Sequence, residues 1–265
     1  MSAKQQRRVE YLGEGSQGVV YCKKDRKTNK ALVYKVYKSS NVSTCFGEIK
    51  MLKLIKRLSL KHSVEFEDTF WDKNNQLCVV MRKAEGEDLF EYFTKFVSVF
   101  SVSDARTIFK KIVMAVDELH SNNICHLDLK LENIIYDPKK LNVTLIDFGF
   151  ADVTKDENSS NERILKKYRG SKHYTAPEIL HKVPYHGTKA DVWALGVLLY
   201  ILVVKKFPFP GKTVPIEEAV LAPVNYPNTL PPTLVNLMDS MLKFEPSLRT
   251  NTKAILQHPW LNSDI

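Results

Sequence analysis

The stretch His126-Leu-Asp128-Leu-Lys130-Leu-Glu-Asn133-Ile-Ile sets charged and amide side chains between apolar runs, and Asp147-Phe148-Gly149 follows with its Asp 19 residues beyond Asp128. Polar groups in such a setting are costly to bury unless they are partnered or hold a metal. One Asp here can accept a proton, and a second Asp together with an Asn offers the oxygen ligands that Mg²⁺ takes. Upstream, Gly13-Glu-Gly15-Ser-Gln-Gly18 is a G-x-G-x-x-G, a weak signal alone. A dinucleotide fold needs a buried strand before the glycines and a helix after them, whereas here a polar segment precedes and the β-branched run Val19-Val20-Tyr21-Cys22 follows. That order predicts a glycine flap between two antiparallel strands, whose bare backbone can close over phosphates. Lys35, 17 residues beyond Gly18 in Leu32-Val-Tyr-Lys-Val, can hold phosphate oxygens as a point charge. Taken by itself, Lys35 reads first as a solvated strand-edge lysine, and the motifs around it change that reading.

These side chains need elements to carry them. Residues 9–82 alternate short β-like runs (VVYC, LVYKVY, LCVVM) with turn residues and contain one helical stretch, Glu48 to Leu58. From Asp88 onward the apolar spacing is helical, with Ile108, Ile112, Val116 and Leu119 on one stripe and VWALGVLLYILVV later. The expected fold class is α+β: a small sheet-rich part over residues 1–82 and a larger helical part over residues 83–265, divided near the connector RKAEGE. The polar, aperiodic stretch Asp152 to Arg169 is expected to be a mobile loop.

Composition narrows the classes. With 265 residues, 44% hydrophobic and 26% charged, the chain is neither disordered nor collagenous nor a small disulfide scaffold. The longest apolar run, Val192 to Val204, is 13 residues and short for a bilayer span, so no membrane helix is expected. The opening MSAKQQRRVEYL has no apolar core for a secretory signal. Cys22, Cys45, Cys78 and Cys125 have no zinc or redox spacing, and they read as buried, idle thiols in a reducing compartment. A cytoplasmic or nuclear location is expected. The net charge of +9 sits wholly in residues 1–82, with 17 basic against 8 acidic residues, while residues 83–265 hold 22 of each. Its clusters, Lys4/Arg7/Arg8 and Lys23/Lys24/Arg26/Lys27/Lys30 at a hairpin turn, read as a solvated face or as a docking patch for an acidic partner, anionic lipid or nucleic acid. The usual aromatic interleaving is missing, which argues against nucleic acid.

Taken in order, the glycine loop, Lys35, HxDLKxEN, DFG, Ala176-Pro177-Glu178, Asp191-Val-Trp193-x-Leu-Gly196 and a late Arg249 before His258-Pro-Trp260 make the chain resemble the eukaryotic protein kinases. The resemblance covers essentially the whole chain. It implies a two-lobed fold, ATP and Mg²⁺ as cofactors, and Ser/Thr-bearing proteins as substrates. By that resemblance Lys35 would contact the α- and β-phosphates and pair with Glu48, the 13-residue gap between them suggesting a trimmed loop. Asp128 would orient the acceptor hydroxyl and take its proton, Lys130 would neutralise the transferring group, and Asn133 and Asp147 would hold Mg²⁺. Gly13, Gly15 and Gly18 would cover the phosphates. Leu12, Val20, Val33 and Ile135 would sandwich the base, Met81 would guard the back of its pocket, the backbone of Arg82 and Ala84 would bond its edge, and Asp88 would reach the ribose. Glu178 with Arg249 and Asp191 with Trp193 would be structural.

Lys130 marks the serine/threonine type, and Phe207-Pro-Phe-Pro with Ile255-Leu-Gln-His-Pro-Trp looks most like the calcium/calmodulin-dependent and AMP-activated-type kinases. Only LNSDI follows Trp260, so control through a calmodulin-binding tail is not expected. Glu85, Glu87, Asp88, Glu91 and Glu132 favour basic residues upstream of the acceptor, opposed by Lys166, Lys167, Arg169 and Lys172, which favour acidic ones downstream. Leu127 stands where the family has a phosphate-binding arginine, and Lys167 stands at the usual phosphorylated position. An enzyme that needs no phosphorylation of this segment is therefore expected. Ser159, Ser160 and Ser171 remain in the segment, and Ser171 matches the family residue that bonds the catalytic Asp and Lys. The alternative is a pseudokinase or scaffold that binds nucleotide or partners without catalysis.

Overall fold

A computed structural model describes residues 9–15, 17–25, 28–38, 42–155, 161–209, 211 and 214–262. The Lys4/Arg7/Arg8 cluster, Arg26, Lys27, Ser159 and Ser160 lie outside the described residues. The chain divides into two compact units, Met1–Glu85 and Gly86–Ile265. The division falls after Glu85 rather than after Arg82, because Lys83 still donates its N–H to Ala31 O at 2.9 Å and so stays with the first sheet.

The first unit is an antiparallel five-stranded sheet in the order β1-β2-β3-β5-β4: β1 Glu10–Glu14, β2 Gly18–Lys24, β3 Ala31–Tyr37, β4 Phe66–Trp71 and β5 Leu77–Arg82. Its valine, leucine and tyrosine runs supply the branched and aromatic side chains that pleated strands favour. The β2–β3 turn closes where predicted, with Asp25 N–H donating to Lys30 O at 2.8 Å and the Asp25 carboxylate accepting the Thr28 N–H at 2.7 Å. Helix α1, Val42–Leu58, begins six residues before the expected Glu48 and ends with Lys56 and Arg57 against its C-terminal dipole.

In the second unit, α2 (Leu89–Phe96) and α3 (Val102–Ser121) come first, α3 opening on a Ser101/Asp104 capping box. The predicted stripe Ile108, Ile112, Val116 and Leu119 is buried. Short strands follow: β6 (Glu87–Asp88) pairs with β8 (Ile134–Asp137), which pairs with β9 (Asn142–Leu145), while β7 (Ile124–Cys125) pairs with β10 (Asp152–Val153). Gly86 is required before β6: its φ is +107° and a Cβ there would meet Tyr136 O at 2.1 Å. Strands β11 (Ile164–Leu165) and β12 (Tyr185–His186) pair around α4 (Pro177–Leu180). The segment expected to be a mobile loop is therefore paired at both ends in its described part, by polar bonds that hydrophobic periodicity does not register.

Helix α5, Gly187–Val204, is 18 residues with a mean hydropathy of 1.6, long and apolar enough by those measures to cross a membrane, yet 78% of it is buried. The 13-residue count missed its first turns because Lys189 and Asp191 interrupt the apolar run. Asp191 is there as an anchor, and the helix is the core of its unit. Helices α6 (Ile216–Ala219), α7 (Pro232–Met241), α8 (Thr252–Gln257) and α9 (Pro259–Asn262) follow it in the chain.

Candidate active site

In the first unit, cross-strand pairing puts Val20 opposite Lys35 and Val33 opposite both Cys22 and Met81. Paired residues share a face, so Val20, Val33, Lys35, Tyr37 and Met81 form one surface of the sheet. The Lys35 ammonium meets Glu48 Oε2 at 2.8 Å, and both residues are buried. Tyr37, two residues along the same strand face, donates its hydroxyl to the same Glu48 oxygen, and its ring lies 5.2 Å from Lys35 Nζ. Gly18 opens β2, where a Cβ would strike Val36 O at 2.1 Å, so β3 can pair there only with glycine. Gly13 and Gly15 face nothing within 4 Å, so packing inside the unit does not explain them. Leu12 is exposed in β1. Cys45, at the start of α1, has its thiol pushed up to about 11 by burial, with Lys35 opposing the rise.

In the second unit, Asp128 lies in the connection between β7 and β8 and is nearly fully buried. Ser171 Oγ donates to its Oδ1 at 2.8 Å, Asn133 Nδ2 donates to its Oδ2 at 2.9 Å, and Lys130 Nζ stands 3.3 Å from Oδ2. Lys130 also donates to Ser171 Oγ at 2.9 Å, which closes a ring of charge-assisted bonds. Asn133 gives its other amide hydrogen to Asp128 O at 2.9 Å, so both its hydrogens are spent and its amide oxygen remains as an acceptor. Ile146 N–H donates to Asn133 O at 3.0 Å, bringing Asp147, at φ +58°, beside Asn133 along the backbone. One carboxylate and one amide oxygen suit Mg²⁺, which completes its shell from water and phosphate rather than from an all-protein cage. Among the described residues there is no cluster of three or more His, Cys, Asp or Glu that could hold a metal.

The loop is wired from below. Asp191 accepts the N–H groups of His126 and Leu127, each at 2.8 Å, and His120 Nε2 lies 2.9 Å from the same carboxylate. That grip fixes Leu127 at φ +64°, a costly conformation for a branched residue. His126 Nε2 lies 3.0 Å from Ile146 O and its ring is 5.0 Å from that of Phe148, so it packs and positions. Arg249 grips Glu178 with two 2.7 Å bonds and stacks 5.0 Å over Trp193.

Several expected assignments shift. Asp88 caps α2 by accepting the Glu91 N–H at 2.9 Å, a duty the sequence did not suggest. The Arg82 N–H is spent on Glu65 O at 2.8 Å, so of the backbone edge expected for a base only the Arg82 carbonyl and Ala84 are left. Ile135 is half-buried in β8 opposite Asp88. Arg169 is not turned to a peptide: it bonds Asp152 and Phe150 O, each at 2.8 Å, and Lys172 pairs with Glu217 at 3.2 Å. Tyr37, His120 and Asp152 were missed by sequence reasoning, because their partners lie 11 to 71 residues away with no motif linking them.

Comparison with known proteins agrees with this geometry. Residues 6–261 match the protein kinase domain family. The chain is 30% identical over 259 residues to the SNF1-related protein kinase catalytic subunit alpha of Arabidopsis thaliana, covering 96% of this chain and 51% of that protein. It is 31% identical over 265 residues to the carbon catabolite-derepressing protein kinase of Saccharomyces cerevisiae, covering 97% and 40%. A probable serine/threonine-protein kinase of Dictyostelium discoideum is 30% identical over 277 residues, covering 96% and 17%. The chain thus spans about half the length, or less, of the curated relatives it matches. By motif order, fold and matched length, the chain belongs to the protein kinase domain family.

Proposed function

We propose that this chain transfers the γ-phosphate of ATP to serine or threonine hydroxyls of protein substrates. The observation that carries this reading is the Asp128 carboxylate, which is buried and held by Ser171, Asn133 and Lys130. The acceptor O–H gives its proton to Asp128 as its oxygen bonds to the γ-phosphorus; the bond from that phosphorus to the β–γ bridging oxygen breaks, and ADP leaves. Lys130 offsets charge on the transferring group, and Lys35, set by Glu48 and Tyr37, holds phosphate oxygens. Asn133 and Asp147 would hold Mg²⁺, which when bound neutralises the phosphate oxygens. Gly13, Gly15 and Gly18 cover the phosphates, Leu12, Val20, Val33 and Ile135 hold the base, and Met81, the Arg82 carbonyl and Ala84 bound its pocket, with Asp88 at the ribose through its second carboxylate oxygen. The test is ATP-dependent phosphate incorporation into Ser, Thr and Tyr peptides with and without Mg²⁺. Incorporation into none of them would favour the pseudokinase reading.

Phosphorylation of the segment before Ala176 is not required in this reading, because Leu127 cannot bind a phosphate and Lys167 cannot carry one. Phosphatase-treated protein, verified by mass spectrometry over residues 147–178, should keep its rate. A tenfold or greater fall in kcat that rephosphorylation restores would overturn it. Lys24 and Lys30, exposed beside the β2–β3 turn, support an acidic protein partner at that surface. Four free, buried cysteines support a reducing cytoplasmic or nuclear setting.

A further inference from the structure

Asp152 is the one acidic residue among the described residues to which the segment after Phe150 returns twice. Its Oδ1 meets Arg163 Nη1 at 2.9 Å and its Oδ2 meets Arg169 Nη2 at 2.8 Å. Arg169 spends a further donor on Phe150 O at 2.8 Å, and its side chain is 18% exposed against 17% for Asp152, so water screens this pair less than a surface pair. Asp152 is itself fastened. It pairs with Cys125 in the β7–β10 ladder, and Thr154 N–H donates to Asn123 O at 2.8 Å. That ladder ends at His126, where the catalytic loop begins. On the other side, Arg169 precedes Gly170, which has φ +101° and lies so close to Leu127 O that a Cβ would meet it at 2.8 Å. Ser171 follows, with its hydroxyl on Asp128 and Lys130. One carboxylate therefore joins the strand that enters the catalytic loop to the residue that sets Ser171.

Resting on the reading of this chain as a kinase that needs no segment phosphate, we propose that Asp152 and Arg169 are positioning residues: the Asp152 carboxylate is a permanent anion that holds the segment in its working conformation. The polarity supports this. The segment carries the cations, Arg163, Lys166, Lys167 and Arg169, and the anchored strand carries the anion. Arg163 is 40% exposed and plays the lesser part.

The test compares Asp152→Asn, Arg169→Gln, Arg169→Lys and the double exchange Asp152→Arg/Arg169→Asp with the phosphatase-treated parent. Each charge-removing single variant should lower kcat by about tenfold or more while KM for ATP stays within about twofold, because misplacing Ser171 disturbs transfer and not nucleotide binding. Arg169→Lys, which keeps the charge and loses the fork, should fall between. The exchange should recover most of the loss. Amide hydrogen exchange over residues 163–171 gives a readout that does not depend on turnover: it should speed up in the singles and return in the exchange, with the protection of α3 and α5 unchanged. Singles with parental kcat and parental exchange rates overturn the proposal, as does faster exchange spread equally over α3 and α5, which marks a general stability role. An inactive phosphatase-treated parent that regains activity on rephosphorylation overturns the phosphate-independent reading and this proposal together. An active parent with indifferent variants overturns this proposal alone.

Discussion

The two units hold their chemical residues in different ways. In Gly86–Ile265 the Asp128 carboxylate receives Ser171, Asn133 and Lys130, and the backbone carrying it is pinned by Asp191 at two N–H groups. In Met1–Glu85, the Lys35 ammonium meets Glu48 from a helix, and Tyr37 from its own strand donates to the same carboxylate oxygen. The first arrangement fixes a loop, which has no ladder of its own, by spending buried polar groups on it. The second aims a flexible four-carbon stem with a buried ion pair. Position in the second unit is therefore fixed through the backbone as well as the side chains, whereas in the first the ion pair acts on a long side chain that a strand already places.

The largest effect should come from the group that, in the proposed function, takes the acceptor proton. Asp128→Asn keeps the hydrogen-bonded ring nearly isosteric but cannot take the hydroxyl proton. We expect kcat to fall by about 10²-fold or more with nucleotide affinity within about twofold, measured by steady-state kinetics and ATP-analogue titration. Near-parental turnover would mean that the ring around Asp128 is structural only.

Next is the wiring beneath it. Asp191→Ala leaves two buried N–H groups and His120 without their acceptor and removes the hold on Leu127 at φ +64°. Each unsatisfied buried donor costs about 1–3 kcal/mol, so thermal unfolding should show a loss of about 3 kcal/mol or more. A loss below about 1 kcal/mol would show that the loop's shape does not depend on this carboxylate.

How much of this was legible in the sequence depended on how far each bond reaches. Asp128, Lys130, Asn133 and Asp147 lie within 20 residues, and their polar types between apolar runs advertised them. The α3 stripe was legible because burial repeats at 3.6 residues. The start of α1 at Val42 was not: Val42, Ser43 and Thr44 carry low helix propensity, and the expected Glu48 start followed the apolar spacing alone. Asp152 to Arg169 read as a mobile loop for the same reason, since ion pairs and two-residue ladders leave no periodic trace. The apolar run Val192 to Val204 marks only part of α5, because the pattern stops at Asp191, whose buried carboxylate accepts the His126 and Leu127 N–H groups. Sequence reading picked out polar groups whose neighbours lie close along the chain and missed those, such as Tyr37 and Asp152, whose partner lies on another element.

A smaller effect is expected from the Glu48 and Tyr37 bonds beside Lys35. Glu48→Gln removes the charge that aims Lys35 and should raise KM for ATP by about tenfold with a lesser change in kcat. Tyr37→Phe removes one hydrogen bond, worth about 1 kcal/mol, and should raise KM by about threefold to fivefold. If Tyr37→Phe matched Glu48→Gln, the tyrosine would be an equal partner in aiming Lys35. If it had no effect, the ion pair alone would suffice.

The smallest effect uses two thiols as reporters of the two halves. Cys45 is pushed up to about 11 by burial against the opposing pull of Lys35, while Cys125, next to His126, is raised well above the ordinary thiol value, first by burial and then by Asp191 and Asp152. Both shifts favour the neutral thiol in the folded state. Their stabilising contribution is therefore complete below the unfolded thiol value of about 8.5 and is lost as pH rises toward the folded values. Iodoacetamide at pH 8 should label neither in the folded protein. As pH is raised, Cys45 should react first, with about a tenth of it ionised near pH 10. The melting temperature of the parent should also fall between pH 9 and 11 by more than that of Cys45→Ala. Mass spectrometry of the alkylated protein reads the order directly. Cys125 reacting with or before Cys45 would mean that the loop's floor opens more readily than the Lys35 pocket, which would reverse the contrast between the rigid half and the lightly held one.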